Sequence, residues 1–321
     1  MRNTILVAGS ANLDFVVRAE HVPAPGETVL GRDFSTFPGG KGANQAVACA
    51  RAGGAATQML LALGNDAFAA PLEISLREAG VALHIVRAAS LPTGTAFVCL
   101  SDSAENAITV APGANEALRA EHLPALTDIA CLLLQLETPI TTVAAYAAAA
   151  RAAGVKVVLN AAPARDLPAT LLAHLDVLIV NEGELAAIVG PCASIAQALE
   201  RLDVPCVIVT LGARGVCARS HGHYHWQCAY PVAAVDTTGA GDTFCGAFTA
   251  ALCAGLALPQ ALARASAAGA LACTRLGAQA SIPTAAEVEA FLARHADSAD
   301  AADARRQLAA YCGIPIDPTA T

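Results

Sequence analysis

Short apolar runs alternate with Ala-rich amphipathic stretches along most of the chain. Thr4-Ile-Leu-Val-Ala8 predicts a first strand, and Thr57-Gln-Met-Leu-Leu-Ala-Leu63 another, after a helix that opens at about Lys41 and runs to about Ala52. A helix over 67–79 and a strand over 82–87 follow. From there the rhythm is regular, with strands expected at 129–136, 155–160, 176–180 and 205–210 and helices near 139–153, 168–174, 182–189 and 194–202. Strands that alternate with helices in this way predict an α/β fold: a mostly parallel central sheet with helices on both faces.

Four segments fall outside that rhythm. Asp14–Arg18 and Glu27–Phe34 read as strands separated by the turn Val22-Pro-Ala-Pro-Gly26, and Thr95–Leu100 with Asn106–Val110 as a hairpin around Ser101–Glu105. They predict a small second sheet, with strands from about 14–36 and 94–111, suited to act as a lid that keeps water from a pocket. Toward the end, a helix is expected from about Asp242 to Ala254, helices near 259–274, a polar loop at Arg275–Ser281 and a helix near 284–296. Residues 1–296 thus read as one lidded domain. Residues 297–321 read as a peripheral tail with a short helix near 302–312, which Pro315 and Pro318 would not let continue.

Composition narrows the class. The chain has 321 residues, 55% of them apolar and many of those alanine, enough for one large core. A net charge of -8 argues against nucleic acid or a membrane surface as partner. No apolar run reaches the roughly 18 residues of a membrane span, and the N-terminus leads into a strand without a signal-peptide layout. The eleven cysteines are scattered singly, with no C-x-x-C pair. That pattern predicts reduced thiols in a cytoplasmic protein rather than disulfides or a zinc site.

The candidate chemistry gathers at strand ends and helix starts. In Asp236-Thr-Thr-Gly-Ala-Gly-Asp-Thr-Phe-Cys-Gly-Ala247, small residues Gly239, Ala240 and Gly241 stand at the mouth of a helix. The unpaired N–H groups and dipole of a helix start would hold a phosphate there. Asp242 in the same turn is either a helix cap or a base for a hydroxyl about to be phosphorylated. The first strand leads into Gly9-Ser-Ala-Asn12-Leu-Asp14, which lacks the G-x-G-x-x-G of a dinucleotide-binding fold. Asn12 and Asp14 would share one face of an extended segment and could grip vicinal hydroxyls, or serve turn chemistry. Gly39-Gly-Lys-Gly-Ala-Asn44 forms a tight loop at a helix start without Walker A spacing; Lys41 and Asn44 offer donors there. Gln135, Glu137, Asn160, Asn181, Glu184, Thr210 and Gly212 sit at the carboxyl ends of expected strands, where ligands of such sheets collect. His221, His223 and His225 alternate, but without a carboxylate or cysteine nearby they read as a hairpin tip rather than a metal site.

Two of these stretches, Gly39-Gly-Lys-Gly-Ala-Asn-Gln-Ala46 and Asp236-Thr-Thr-Gly-Ala-Gly-Asp-Thr-Phe244, resemble the two signatures of the ribokinase/PfkB sugar kinases. The likeness extends from about residue 4 to 294 and includes Gln135-Leu-Glu137 and Leu159-Asn-Ala-Ala-Pro-Ala-Arg165. It implies a ribokinase-like fold and ATP-dependent phosphorylation of the 5-hydroxyl of D-ribose. Asn12, Asp14, Gly40, Lys41, Asn44 and Glu137 would hold the sugar, with Asp242 as base and Gly239, Ala240 and Gly241 as anion hole. Asn181 and Glu184, in an N-x-x-E motif, would place phosphate and Mg2+. Thr210, Gly212 and Gly215, with Gly241, would contact the nucleotide. Asp236, Thr238, Ala272, Arg275, Gly277 and Ser281 resemble a monovalent-cation site responsive to K+. Gly239 departs from members that carry Ala, a change that a backbone role tolerates. A deoxyribokinase or another pentose or nucleoside kinase would share the catalytic residues, and a sugar-binding regulator without catalysis is a further alternative. An apolar lid face would suit a homodimer packed lid to lid.

Overall fold

The computed structural model describes residues 2–101, 106–295 and 301–314. An unbroken apolar run carries the first strand, β1 (Thr4–Ala8), into the interior of a nine-stranded sheet. The chain next enters β2 (Asn12–Ala19) and β3 (Arg32–Gly39), then α1 (Lys41–Arg51) and β4 (Thr57–Gly64). It continues through α2 (Ala69–Glu78), β5 (Ala82–Ala88), β6 (Gly94–Ser101) and β7 (Asn106–Ala111). The regular part comprises β8 (Ile129–Leu134), α3 (Ile140–Ala152), β9 (Lys156–Asn160), α4 (Ala169–Leu172) and β10 (Val177–Asn181). After α5 (Glu182–Val189) and α6 (Ile195–Glu200) come β11 (Cys206–Thr210), β12 (Gly215–Ser220) and β13 (His223–Cys228). Helices α7 (Ala240–Cys253), α8 (Leu258–Ala272), α9 (Ala278–Ser281), α10 (Ala285–Arg294) and α11 (Ala301–Cys312) complete the described chain.

The large sheet has the order β13-β12-β11-β10-β9-β8-β1-β4-β5. Strands from β11 to β5 run parallel, and only β12 and β13 are antiparallel, at one edge. Buried on both faces, the strands feed two cores. Ile5, Val7, Leu61 and Leu133 pack with α1, α7 and α8 on one side. Leu6, Leu60, Leu132 and Leu134 pack with α3 and α6 on the other, where Leu308, Ala309 and Cys312 of α11 are also buried. The expected mostly parallel sheet between helical layers is therefore what the chain forms. All eleven cysteines are free thiols, and no helix among the described residues is long and apolar enough to cross a membrane.

A second sheet has the order β3-β2-β6-β7, as the four out-of-rhythm segments suggest. One boundary moves. The strand expected over 27–34 lies at Arg32–Gly39 instead, paired from Arg18↔Arg32 to Asn12↔Gly39. Residues 27–31 have strand-like composition but run past the end of β2, and strand formation follows pairing more than local preference. Pro38 sits within β3 without loss because β3 is an edge strand. The hairpin turn expected at 101–105 lies, from residue 102, outside the described residues, as do the helix-breaking positions Pro315 and Pro318. The helix expected over 168–174 shortens to four residues, and the three-histidine tip splits, with His221 in the turn at φ 48° and His223 and His225 on β13.

Candidate active site

The site begins where α1 and α7 pack side by side. Gly246 permits the approach: a Cβ on it would lie 2.5 Å from the Ala48 Cβ and 2.6 Å from the Gln45 carbonyl oxygen. This proximity brings α1 side chains onto Asp242. Asn44 Nδ2 donates to Asp242 Oδ2 at 2.9 Å, and Gln45 Nε2 donates to Oδ1 at 2.8 Å. The cap of α7 is Gly239, in the left-handed region at φ 74°, with no side-chain cap bond. Asp242, at the third helical position, therefore does not serve as the helix cap. Its carboxylate is turned inward and fixed by two amides.

Behind these amides runs a buried chain of further ones. Gln135 Nε2 donates to Gln45 Oε1 at 2.7 Å, and Gln45 Nε2 also donates to Asn160 Oδ1 at 2.9 Å. Buried polar groups are costly unless partnered, so this chain locks Gln45, and Gln45 in turn orients Asp242. Two acceptors of this cluster remain open, Gln135 Oε1 and, next to Asp242, Asn44 Oδ1: both are buried with no partner among the described residues. An orphaned acceptor beside a fixed carboxylate suits a ligand hydroxyl.

The sugar-facing candidates assemble around the same point. Asn12 and Asp14 share one face of β2, as their spacing suggests, opposite Gly39 and Phe37 of β3. Glu137 Oε2 accepts the Lys41 N–H at 3.0 Å and the Ser10 hydroxyl at 2.6 Å, while Ser10 Oγ accepts from Gly42 N at 3.2 Å. Asn115 Nδ2 holds Asn12 Oδ1 at 2.8 Å. The Asp242 carboxylate holds the Lys41 ammonium above its ordinary pKa against the opposing pull of burial, with help from Glu137 and Glu184. Burial, then the charges of Glu137 and Asp242, push the Asp14 carboxyl up to about 7.

That elevation has a consequence for stability. Asp14 keeps its proton in the folded chain at pH values where the unfolded chain, with the ordinary value of 3.8, has released it. Its contribution is full below that value and fades as pH rises through about 7. The Asp14→Asn variant should therefore lose less stability than the parent between about pH 4 and 8, by urea midpoints. Parallel profiles would show that the carboxyl titrates in its usual range.

A cavity of about 160 Å³ joins the parts. Lys41, Asn160, Asn181, Glu184, Thr210, Gly239, Gly241 and Asp242 all line it. Residues from the α1 start, three parallel strand ends and the mouth of α7 thus meet in one place, at the carboxyl edge of the sheet. At that mouth the Ala240 N–H bonds the Thr237 carbonyl at 3.2 Å, leaving the amides of Gly241 and Asp242 among those without an intrahelical acceptor. A phosphate cradle, an oriented carboxylate and a lysine in one cavity can perform phosphoryl transfer to a hydroxyl. A profile of the pfkB family carbohydrate kinases matches residues 2–285. The chain belongs to this family.

Similar proteins agree over nearly the whole length. The kinase is 38% identical to the ribokinase of Haemophilus influenzae, covering 91% of this chain and 99% of that one. It is 37% identical to that of Bacillus subtilis, covering 91% and 100%. Among solved structures, Thermotoga maritima ribokinase superposes with a TM-score of 0.83 at 37% identity, covering 91% and 99%. The structure of Arabidopsis thaliana ribokinase complexed with ribose and ATP gives 0.83 at 34%, with the same coverage.

Other candidate residues fall beside the cavity rather than in it. Gly212 and Gly215 follow Thr210 in the turn after β11 but do not line the cavity. The six residues of the expected cation site divide between the loop before α7 (Asp236, Thr238) and the stretch from the end of α8 through α9 (Ala272, Arg275, Gly277, Ser281). Asp236 Oδ1 accepts the Thr238 N–H and Oδ2 the Gly277 N–H, both at 2.9 Å. Burial raises the Asp236 pKa, but these bonds outweigh it and hold the carboxyl below its usual range. The Ala272 carbonyl accepts the Arg275 N–H at 3.2 Å, the Arg275 guanidinium pairs with Glu287, and Ser281 Oγ donates to the Ala278 carbonyl at 2.9 Å. A larger cavity, about 300 Å³, lies between β3, α1, α2 and the 277–280 loop, and Gly277 is the single expected site residue on its wall.

Sequence reading passed over Gln45 and Ser10 as functional residues although both stand inside the quoted motifs, and placed Gln135 and Asn160 only as polar strand ends. Asn115 had no signal. It sits in an isolated 3-10 turn (Gly113–Ala117) without periodicity or motif, and only the fold brings it to Asn12.

Proposed function

We propose that the kinase transfers the γ-phosphoryl group of ATP to the 5-hydroxyl of D-ribose, forming D-ribose 5-phosphate. The observation that carries this reading is the Asp242 carboxylate, held by Asn44 and Gln45 at the mouth of α7. The choice of ribose rests on relatives at 37–38% identity named ribokinase. In this reading Asn12, Asp14, Gly40, Lys41, Asn44 and Glu137 bind the sugar, and Asp242 accepts the proton of the attacking hydroxyl. Gly239, Ala240 and Gly241 supply the anion hole, of which Gly239 and Gly241 face the cavity. Asn181, Glu184, Thr210, Gly212 and Gly215 form the nucleotide side. Initial rates with Mg2+ and ATP across ribose, 2-deoxyribose, fructose and ribonucleosides test it. A higher kcat/KM for any of the others would replace ribose as substrate, and no turnover with any sugar would favour a binding protein.

Among the described residues no group of three or more His, Cys, Asp or Glu could hold a metal by itself. Mg2+ is usually carried on substrate phosphates with one or two protein carboxylates, and Glu184, which shares the cavity wall with Asp242, would help to hold it. When bound, the ion neutralises phosphate charge. The Asp236 loops suit K+: an anionic carboxylate ties 236–238 to 277, and the next residue, Ala278, abuts Gly239, its Cα 3.1 Å from where a Cβ would stand. An ion seated there would steady the mouth of α7. Replacing Na+ by K+ should raise turnover several-fold, and the response should vanish in Asp236→Ala; equal rates in both salts would speak against the site.

The lid supports a dimer. By register Phe97 and Phe34 share one face, and Ile108 and Val110 the other, and they are 54%, 65%, 56% and 41% exposed. Two lids packed through the Ile108 and Val110 face would cover that part of the surface. Light scattering should report twice the chain mass, reduced toward one by Ile108→Glu; a monomer in the parent at working concentration would refute the arrangement. A cytoplasmic location accords with the eleven free thiols.

A further inference from the structure

The described end of the chain is not a loose appendage. Helix α11 lies beyond residues 2–285 that match the family, yet Leu308, Ala309, Cys312 and Ile314 are buried against the outer core. From this anchored helix Tyr311, 45% exposed, reaches toward the nucleotide side. Its hydroxyl bonds Glu182 Oε1, and its ring lies under the Arg214 guanidinium at 4.1 Å to the centroid. Arg214 closes the set by donating from Nη2 to Glu182 Oε2 at 2.9 Å.

Each partner stands next to a cavity element. Glu182 opens α5 directly after Asn181, whose side chain and that of Glu184 cap the helix reciprocally. Arg214 ends the short turn that follows Thr210, between Gly212 at φ 56° and Gly215 at φ 121°. Glycines on both sides leave that turn with wide backbone freedom. The Leu211 N–H bond to the Gly215 carbonyl at 2.8 Å closes the turn on itself. The strand ladder pairs Asn181 with Thr210 at the root of the turn, and beyond that pair the Glu182–Arg214–Tyr311 set spans the gap to the start of α5.

We propose that Tyr311 is a positioning residue for the nucleotide: through Arg214 and Glu182 it fixes the 210–215 turn against the start of α5. The inference rests on the assignment of those strand ends to ATP. The planar guanidinium stacks on the ring while its Nη2 donates to the carboxylate, a combination that suits arginine better than lysine.

The test uses the full chain with Tyr311→Ala and Tyr311→Phe, read by steady-state kinetics in both substrates and by calorimetric titration with ADP. Tyr311→Ala should raise the KM for ATP and the Kd for ADP about three- to tenfold, with the ribose KM and thermal midpoint unchanged. Tyr311→Phe keeps the ring under Arg214 and should recover part of the loss. Arg214→Ala should remove most of the effect of adding Tyr311→Ala, because the two act through one contact. Unchanged nucleotide binding in Tyr311→Ala overturns the proposal, and so does an equal rise in both KM values. Failure of the parent itself to bind ADP would overturn the nucleotide assignment and the proposal with it, whereas ADP binding without ribose turnover leaves only the sugar at fault.

Discussion

Replacing Asp242 with Asn should lower turnover about 10²–10⁴-fold while sugar binding largely survives. The side chain keeps its shape but can no longer take the hydroxyl proton. The neighbours can adapt. In the parent, two amide groups, Asn44 Nδ2 and Gln45 Nε2, donate to the two carboxylate oxygens. In the variant one of those positions becomes a donor, and Asn44 can meet it by turning its Oδ1, which has no partner among the described residues, toward it. Gln45 is less free, since Gln135 and Asn160 hold it from behind. The local structure should therefore persist, and the measured loss should fall on kcat rather than on the thermal midpoint or the sugar Kd. Near-normal turnover in this variant would remove Asp242 from its role.

The second large effect is expected from the addition of a single methyl group. Gly40→Ala should cost about 1–3 kcal/mol of stability from backbone strain alone and lower kcat/KM for the sugar about 10²-fold through misplaced contacts. Gly40 caps α1 at φ 88°, a region an L-residue adopts only with strain. A Cβ there would stand 2.7 Å from the Asn12 N and 2.8 Å from the Ala11 Cα, and backbone atoms cannot swing aside as a side chain can. Either the start of β2 or the start of α1 must move. The first displaces Asn12 and Asp14, and the second displaces Lys41 from Glu137 and Asn44 from Asp242. Denaturant midpoints with sugar-dependent kinetics check both, and an unchanged KM with an unchanged midpoint would mean that the loop is slack.

The alternation of apolar strands and Ala-rich helices determined the layered α/β fold by itself, because a parallel strand buried on both faces reads as an unbroken apolar run. The glycine-rich helix starts also showed where a phosphate could sit, since unpaired N–H groups at a helix mouth are a local property. Small residues at a helix mouth were thus legible, Gly239 and Gly241, whereas the reciprocal cap of Asn181 and Glu184 emerged only in the structure. What pairs across distance was not legible either. The strand expected at 27–34 moved to Arg32–Gly39 because its partner, not its composition, fixed its limits. That Asp242 does not cap its helix, and is instead held by Asn44 and Gln45, some 198 and 197 residues away in sequence, was decided only where α1 and α7 meet at Gly246. Asn115 on Asn12 and Tyr311 beneath Arg214 belong to the same kind. A sequence determines which groups each segment can offer; which of them meet, and so which carboxylate is held in place to react, follows from the packing that brings distant segments together.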